Sequence, residues 1–166
     1  MLSRTKKPIS WLKKKVNSLT LLTRITRIFD AGTPLDQAFQ EVGDLLAEHL
    51  YVVERGFYTY AAATQQFVLH ASNGQQNVFA RFPTLTARDF QPCHIALTEF
   101  GMNTLNALPV DQIEEPCFLA MLSQAAIQTL MHLPLMAHGQ TFGMIFLAST
   151  ALHHIKGDET DFFEIL

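Results

Sequence analysis

The sequence predicts an α+β domain with a central antiparallel sheet of about six strands, helices packed on one face of the sheet, and a long N-terminal helix. Two pairs of apolar runs predict the sheet, one over residues 55–72 and one over residues 128–149, and each pair is separated by a short polar turn. Helical spacing of apolar residues over residues 9–29 and 34–50 predicts the helices. Because hairpins make neighbouring strands antiparallel, the helices are expected to form a separate layer.

The N-terminal helix begins near Ile9 and carries a narrow apolar stripe of the coiled-coil kind. The stripe repeats every three or four residues and consists of Ile9, Leu12, Val16 and Leu19. Over residues 22–29 the apolar positions turn to a slightly different direction, so the first half of the helix is expected to meet a partner and the second half the domain. We therefore predict a homodimer interface on the stripe, with residues 1–20 as a basic helical extension and residues 21–166 as the domain.

Basic residues are concentrated at the N-terminus. Residues 1–27 hold eight of the twelve Lys and Arg and no acid, whereas residues 28–166 hold four bases and all fifteen acids, a net charge of −11. A body this acidic argues against nucleic-acid binding by the domain itself, because phosphate contacts require clustered basic side chains. The basic helix leaves three roles open: a solvated face, a targeting segment, or, with Trp11, contact with an anionic membrane surface.

The composition of the chain also indicates its cellular compartment. No run approaches the roughly 18 apolar residues that a membrane-spanning helix needs, and residues 16–23 are too short and polar for a signal-peptide core. Cys93 and Cys117 are expected to be reduced thiols rather than a disulfide framework. The sequence therefore predicts a cytoplasmic protein without a membrane span.

The second helix is predicted over residues 34–50. Gly32 suits the C-terminal cap of the first helix, Thr33 the N-cap of the second, and Pro34 its first position. One face of this helix is expected to be core, and it contains Leu35, Phe39, Val42, Leu46 and Leu50.

The first hairpin is predicted over residues 55–63 and 66–72, which are aromatic and β-branched runs. A turn at Asn73-Gly74 and a short edge strand over residues 78–82, before Pro83, are expected to follow. Further helical segments are predicted over residues 93–100 and 111–126. Residues 158–166 begin a helix that stops after about two turns, which implies either a chain cut from something longer or an output module that follows.

The second hairpin, over residues 128–149, is expected to form the middle of the sheet, with strands buried on both faces. Pro134 cannot donate to a strand ladder, so it is predicted to lie near the turn, where its strand leaves the pairing. Gly143 predicts a bulge or a close backbone approach.

This pattern resembles a GAF domain over residues 20–166, and most specifically over residues 108–149. This region is similar to the family's helix, strand ending in Pro-Leu, polar turn and Gly-opened strand. The segments that carry the similarity are Leu-Pro, Glu-Glu-Pro-Cys-Phe-Leu, Ala-Ile-Gln-Thr-Leu-Met-His-Leu-Pro-Leu and His-Gly-Gln-Thr-Phe-Gly-Met-Ile-Phe-Leu-Ala-Ser. Residues 115–119 also look like a segment of the GAF domains in nitrogenase-type transcription activators. The resemblance implies a non-catalytic sensing and dimerisation module of a bacterial signalling protein. Such modules bind small molecules between the sheet and its irregular connections, and they pass the signal through terminal helices.

Aromatic residues with a few polar groups suggest a ligand pocket on these connections. The candidate lining residues are Tyr58, Tyr60, Phe90, Cys93, His94, Phe118, Met121 and His132. The adjacent pair Cys93-His94 is the most tempting for catalysis, but neighbours on a helix point in different directions, so no catalytic residue is predicted. The seven histidines show no spacing of zinc ligands, so no metal site is predicted. The identity of a ligand or cofactor stays open.

Two alternatives to a small-molecule sensor remain. The first is a pure dimerisation and protein-contact module whose pocket is collapsed. The second is a bilin-binding photoreceptor domain, since Cys117 stands seventeen residues before Pro134, similar to the spacing of the bilin-attaching cysteine in phytochrome-type GAF domains. In those domains a His usually follows the cysteine, whereas this chain has Phe118.

Overall fold

The computed structural model describes residues 19–21, 23–28, 30–50, 52–86, 89, 101–104, 122 and 125–151, with backbone alone at 49, 50, 101–104 and 137. By internal contacts the chain divides into two compact units, one of Met1–Val42 with His154–Leu166 and the other of Gly43–His153. Residues 1–18 of the predicted helical extension over residues 1–20, with Ile9, Leu12 and Val16, lie outside the described residues. So do the predicted helix over 158–166 and most of the segments over 93–100 and 111–126.

Among the described residues, the predicted core positions Phe39, Val42 and Leu46 of the second helix are buried. This helix begins at Leu35, one residue after the predicted Pro34. Residues 19–21, 23–28 and 30 form helix α1, and Leu35–Leu50 form helix α2, which continues into the second unit. Gly32 has a φ of 68°, as expected for a C-terminal cap. Leu35, predicted to be core, is 46% exposed, because it is the first residue of α2 and precedes its first buried turn. The buried apolar side chains in the described part of α2 are Ala38, Phe39, Val42, Leu45 and Leu46.

The strands of the described residues lie in the second unit and form one antiparallel sheet. The strands are β1 (Glu54–Ala61), β2 (Gln66–Gly74), β3 (Thr84–Thr86), β4 (Gly101–Thr104), β5 (Thr129–Ala137) and β6 (Gln140–Ser149). Within the described residues their order is β3-β2-β1-β6-β5-β4, with every neighbouring pair antiparallel. The predicted antiparallel platform with β5 and β6 folded back on each other is therefore confirmed.

Alternation along β1 separates the two faces of the sheet. Arg55 and Phe57 point to the face on which the C-terminal half of α2 lies, since a Cβ on Gly43 would stand 2.9 Å from Cε2 of Phe57. Arg55 also forms an ion pair with Asp44 of α2. We call this the helix face. Residues Glu54, Gly56 and Tyr58 point to the opposite face, which we call the connection face because the link between β2 and β3 packs on it.

Two predictions about that link are wrong. Asn73 and Gly74 are the last residues of β2, where they pair with Arg55 and Glu54, and the chain turns only after them. Residues 78–82 do not form the edge strand, because Val78–Arg81 is a 3₁₀-helix and both Val78 and Phe79 are buried at successive positions. The edge strand is β3, which follows Pro83. Two side chains of β1 form hydrogen bonds with the backbone of this link: Glu54 accepts from the N–H of Val78, and Tyr58 donates to the carbonyl of Phe82. These backbone groups therefore have partners without strand pairing.

The central hairpin departs from prediction at Pro134. This residue pairs with Met144, and β5 continues beyond it to Ala137, so the strand does not leave the pairing there. A register shift between Leu135 and Met136 follows directly, and bulges are places where sheets tolerate proline. Gly143 makes the predicted close approach, since a Cβ there would lie 2.6 Å from the carbonyl oxygen of Tyr58.

Strand β4 was not predicted. It contains four residues and pairs Gly101–Thr104 with His132–Thr129 of β5. A strand this short shows little alternation, so its assignment depends on its partner rather than on its own pattern. Among the described residues, no helix is long and apolar enough to cross a membrane.

Candidate functional site

An aromatic cluster lies at the centre of the connection face. The ring of Tyr58 meets those of Phe79 and Phe146 edge-on, with centroids 6.5 Å and 5.6 Å away, while Phe79 and Phe146 stack at 6.0 Å with 21° between their planes. All three side chains are fully buried. They belong to a larger buried core that also contains Phe67, Val78, Leu85, Leu122, Ala125, Ile127, Leu130, Met144 and Ala148.

Phe79 reaches this cluster from residues 75–82, which we call the strap. The strap begins on the carboxylate of Glu54, whose Oε1 accepts from the N–H of Gln76 at 2.6 Å and whose Oε2 accepts from the N–H of Val78 at 3.0 Å. Glu54 is 1% exposed, so these two bonds replace the water that a carboxylate requires. The side-chain Nε2 of Gln76 donates to the carbonyl of Ala125 at 3.5 Å, which connects the strap to the turn before β5.

The strap ends on the hydroxyl of Tyr58. The single proton of this hydroxyl is shared between the carbonyl oxygens of Phe82, at 3.1 Å, and Phe79, at 3.4 Å, in a bifurcated hydrogen bond. Burial raises the pKa of Tyr58, because the phenolate would lose its hydration in this environment. Tyr58 therefore stays a neutral donor at physiological pH.

Two glycines permit the strap to approach the sheet. A Cβ on Gly56 would stand 2.7 Å from Cγ of Phe79, so the phenyl ring occupies the space above this glycine. A Cβ on Gly74 would collide with the carboxylate of Glu54. The absence of both side chains thus allows Glu54 and Phe79 to take their positions.

Comparison with known structures identifies the fold. The phycoerythrobilin-bound GAF domain of a cyanobacterial phytochrome is similar with a TM-score of 0.67 and 13% identity over 91% of each chain. The GAF domain of a phosphoenolpyruvate-protein phosphotransferase (ptsP) from Coxiella burnetii is similar with a TM-score of 0.65 and 20% identity, over 89% of this chain and 86% of that one. A third, the A. aeolicus Nlh2 GAF domain in an inactive state, has a TM-score of 0.57 and 15% identity over 91% and 89% of the two chains.

The chain has the GAF fold. No protein-family model matches it, and no curated protein sequence does either. The fold recognised from the sequence pattern is therefore shown by structural likeness, at identities too low for sequence comparison alone.

Within this GAF fold, three of the predicted pocket residues lie in the described part of the chain. Tyr58 and His132 are both buried on the connection face, at 0% and 4% exposure. The two residues are not directly opposite each other across β6. Tyr58 pairs with Met144, whereas His132 pairs with Phe146, the next residue of β6 on the same face. Alternation places Tyr60 on the same face, but it is 38% exposed and its ring contacts Phe67 at 5.1 Å.

The other predicted pocket residues lie outside the described residues. They are Phe90, Cys93, His94, Phe118 and Met121, and Cys117 of the bilin alternative lies there too. In the described part of the chain, no group of three or more His, Cys, Asp or Glu is placed to hold a metal ion.

Sequence reasoning missed Glu54, Gly56 and Phe79. One signal was present: Gly56 and Tyr58 occupy alternate positions of the predicted strand over residues 55–63, and Glu54 stands two residues before Gly56. An acid and a glycine among aromatic residues are unusual in a strand. That pattern indicates that something approaches the strand closely on one face. It does not name the segment that approaches.

Proposed function

We propose that this chain is a non-catalytic regulatory sensor domain that binds a small molecule on the connection face and controls an attached output module. The observation that carries the proposal is the GAF fold, shared over nine-tenths of the chain with a phycoerythrobilin-bound GAF domain of a cyanobacterial phytochrome. The proposal places the protein in the cytoplasm of a bacterium, where two cysteines such as these stay reduced.

The proposed ligand site lies on the β5 side of the connection face. His132 supports this placement, because a buried imidazole among apolar residues offers one directional hydrogen-bonding group in a low-dielectric setting. The remaining lining is proposed to come from the chain between β3 and β5, which carries Phe90, Cys93, His94, Phe118 and Met121. Tyr58 and Tyr60 would border the site from β1.

Signal output is proposed to run through a homodimer formed by the terminal helices. Leu19 is the last residue of the predicted stripe, and it is helical and 53% exposed. A residue of a dimer interface is expected to be exposed in this way when its partner chain is absent. Burial of this apolar side chain against a second copy of the chain would lower the free energy of the dimer.

A second candidate is a dimerisation module without a ligand. One observation favours it: the described centre of the connection face is filled by Tyr58, Phe79 and Phe146 rather than open. The bilin alternative has its own test, since a chain purified after co-expression with bilin synthesis should show a visible absorbance band if Cys117 carries the pigment.

The experiment for the sensor proposal combines native mass spectrometry with thermal denaturation of the full chain across a metabolite panel. A retained small mass, or a ligand that raises the melting temperature, is the expected result. His132→Leu should abolish the ligand effect, whereas Met131→Leu, next to it on the helix face, should preserve it. An empty dimer that no metabolite stabilises would establish the ligand-free module instead.

A further inference from the structure

Three alternate residues of β1 hold the strap at three successive points. Glu54 binds the backbone at its beginning, Gly56 leaves space for its middle, and Tyr58 binds the backbone at its end. Alternation along a strand places all three on one face, 54, 56 and 58 being two residues apart. The strap is therefore fitted to this one strand by polar bonds at both ends and by shape between them.

The shape at the middle is that of an aromatic ring. Phe79 has no exposed surface, stacks on Phe146 and meets Tyr58 edge-on. Stacked and edge-on neighbours at these distances are the arrangements that aromatic rings prefer. Gly56 forms the floor, where no side chain competes with the ring.

We infer that the space above Gly56 is a latent site for a planar aromatic molecule, and that the protein keeps it closed with its own Phe79. The strap acts as a built-in occupant of the connection face. Opening the site would break the two bonds to Glu54 and the bifurcated bond from Tyr58 together with the ring contacts, so the native chain does not exchange Phe79 for a free ligand.

If the chain is the sensor proposed above, the closed site restricts where its small molecule can bind, and this step rests on that proposed function. Its small molecule must bind beside the strap, toward His132, and the strap should stay in place when the molecule binds. The amides of Gln76 and Val78, which donate to buried Glu54, report on the strap directly through their hydrogen exchange.

The test uses indole and benzene as probes on the full chain. Phe79→Ala removes the ring and leaves an apolar void with aromatic walls, and voids of this kind bind small aromatic molecules. At ten times the dissociation constant, indole should raise the melting temperature of Phe79→Ala by about 3–6 °C and leave the native chain unchanged. Phe79→Val, with a smaller void, keeps the test valid if the alanine variant does not fold, and benzene is then the matched probe.

The control is the double variant Gly56→Ala with Phe79→Ala. The added methyl group takes up part of the void, since it lies 2.7 Å from the position of the ring's Cγ, so the probes should stabilise the double variant less than Phe79→Ala. Failure of both probes to stabilise either Phe79 variant would overturn the latent site and leave the sensor proposal standing. Indole stabilisation of the native chain with faster exchange at Gln76 and Val78 would overturn the closure, and the absence of any native ligand would count against the sensor alone.

Discussion

Phe79 lies directly above Gly56: a Cβ built on the glycine would stand 2.7 Å from Cγ of the ring and 3.0 Å from its Cδ1. One residue thus fills the space that the other leaves. Since Gly56 belongs to a central strand and Phe79 to a connection, this contact sets how closely the strap approaches the sheet. It also makes the pair testable as a unit.

Gly56→Ala should destabilise the protein by about 1–3 kcal/mol, because an added methyl group in a well-packed core forces its neighbours to move. Urea denaturation followed by circular dichroism measures this change. In a Phe79→Ala background the same substitution should cost less, since the ring carbon 2.7 Å from the added methyl group is gone and the Cβ of residue 79, at 3.0 Å, is the close neighbour that stays. Additive effects in this double-mutant cycle would contradict the contact.

Glu54→Gln should release the strap locally. The amide keeps one acceptor oxygen but turns an NH₂ group toward a backbone donor, so one of the two N–H groups loses its partner, at a cost of about 1–3 kcal/mol. Hydrogen exchange at Gln76 and Val78 should accelerate more than exchange in the β5–β6 ladder. The matched control is Glu48→Gln on an exposed position of α2, which should change neither.

Tyr58 should make stability fall at alkaline pH. Burial raises its pKa in the folded state above the ordinary value of 10.0, so above pH 10 the unfolded chain loses this proton before the folded chain does. The contribution of Tyr58 is therefore fully present below about pH 10 and is lost as pH rises further. Denaturation midpoints between pH 8 and pH 11 should fall less steeply for Tyr58→Phe than for the native chain.

The same Tyr58→Phe variant loses the bifurcated hydrogen bond to the carbonyl oxygens of Phe79 and Phe82, at a cost of about 0.5–1.5 kcal/mol at neutral pH. Tyr60→Phe serves as its control, because Tyr60 is 38% exposed. Equal alkaline slopes for the native chain and Tyr58→Phe would show that other groups cause the fall.

The proposed dimer depends on the N-terminal stripe. Removal of residues 1–20, or Leu19→Glu alone, should shift sedimentation toward the monomer, because a charge in a coiled-coil seam is buried without a partner. Met136→Glu is the control, since Met136 is 45% exposed but lies on β5, away from the stripe in sequence. A truncated chain that still sediments as a dimer would place the interface elsewhere.

The fold was predictable where the pattern was local and repeated. The runs over 128–149 have apolar residues at successive positions on both sides of one turn, and β5 and β6 pair there as expected. The run over 78–82 failed for the opposite reason, because its apolar residues are buried by the strap's attachment to β1 and not by strand pairing. Strand β4 has too few residues to predict without its partner.

The candidate site was predictable only in part. Tyr58 and His132 were identified as aromatic and polar residues of predicted strands, and both are buried on the connection face. Glu54 passed unnoticed, because an acid at the start of a strand is usually solvated. Its role depends on Val78, which is 24 residues further along the chain.

The sequence by itself determined the elements that have a local pattern of apolar residues. These are the amphipathic helix α2 and the two hairpins, and the hairpins in turn make the sheet antiparallel. Spacing of apolar residues is a local property, and hydrophobic burial acts on it directly. Only the tertiary structure decided that Phe79 lies above Gly56 and that Glu54 holds the strap. Those contacts join segments far apart in the chain, and their free energy comes from shape and desolvation that exist only after the sheet has formed.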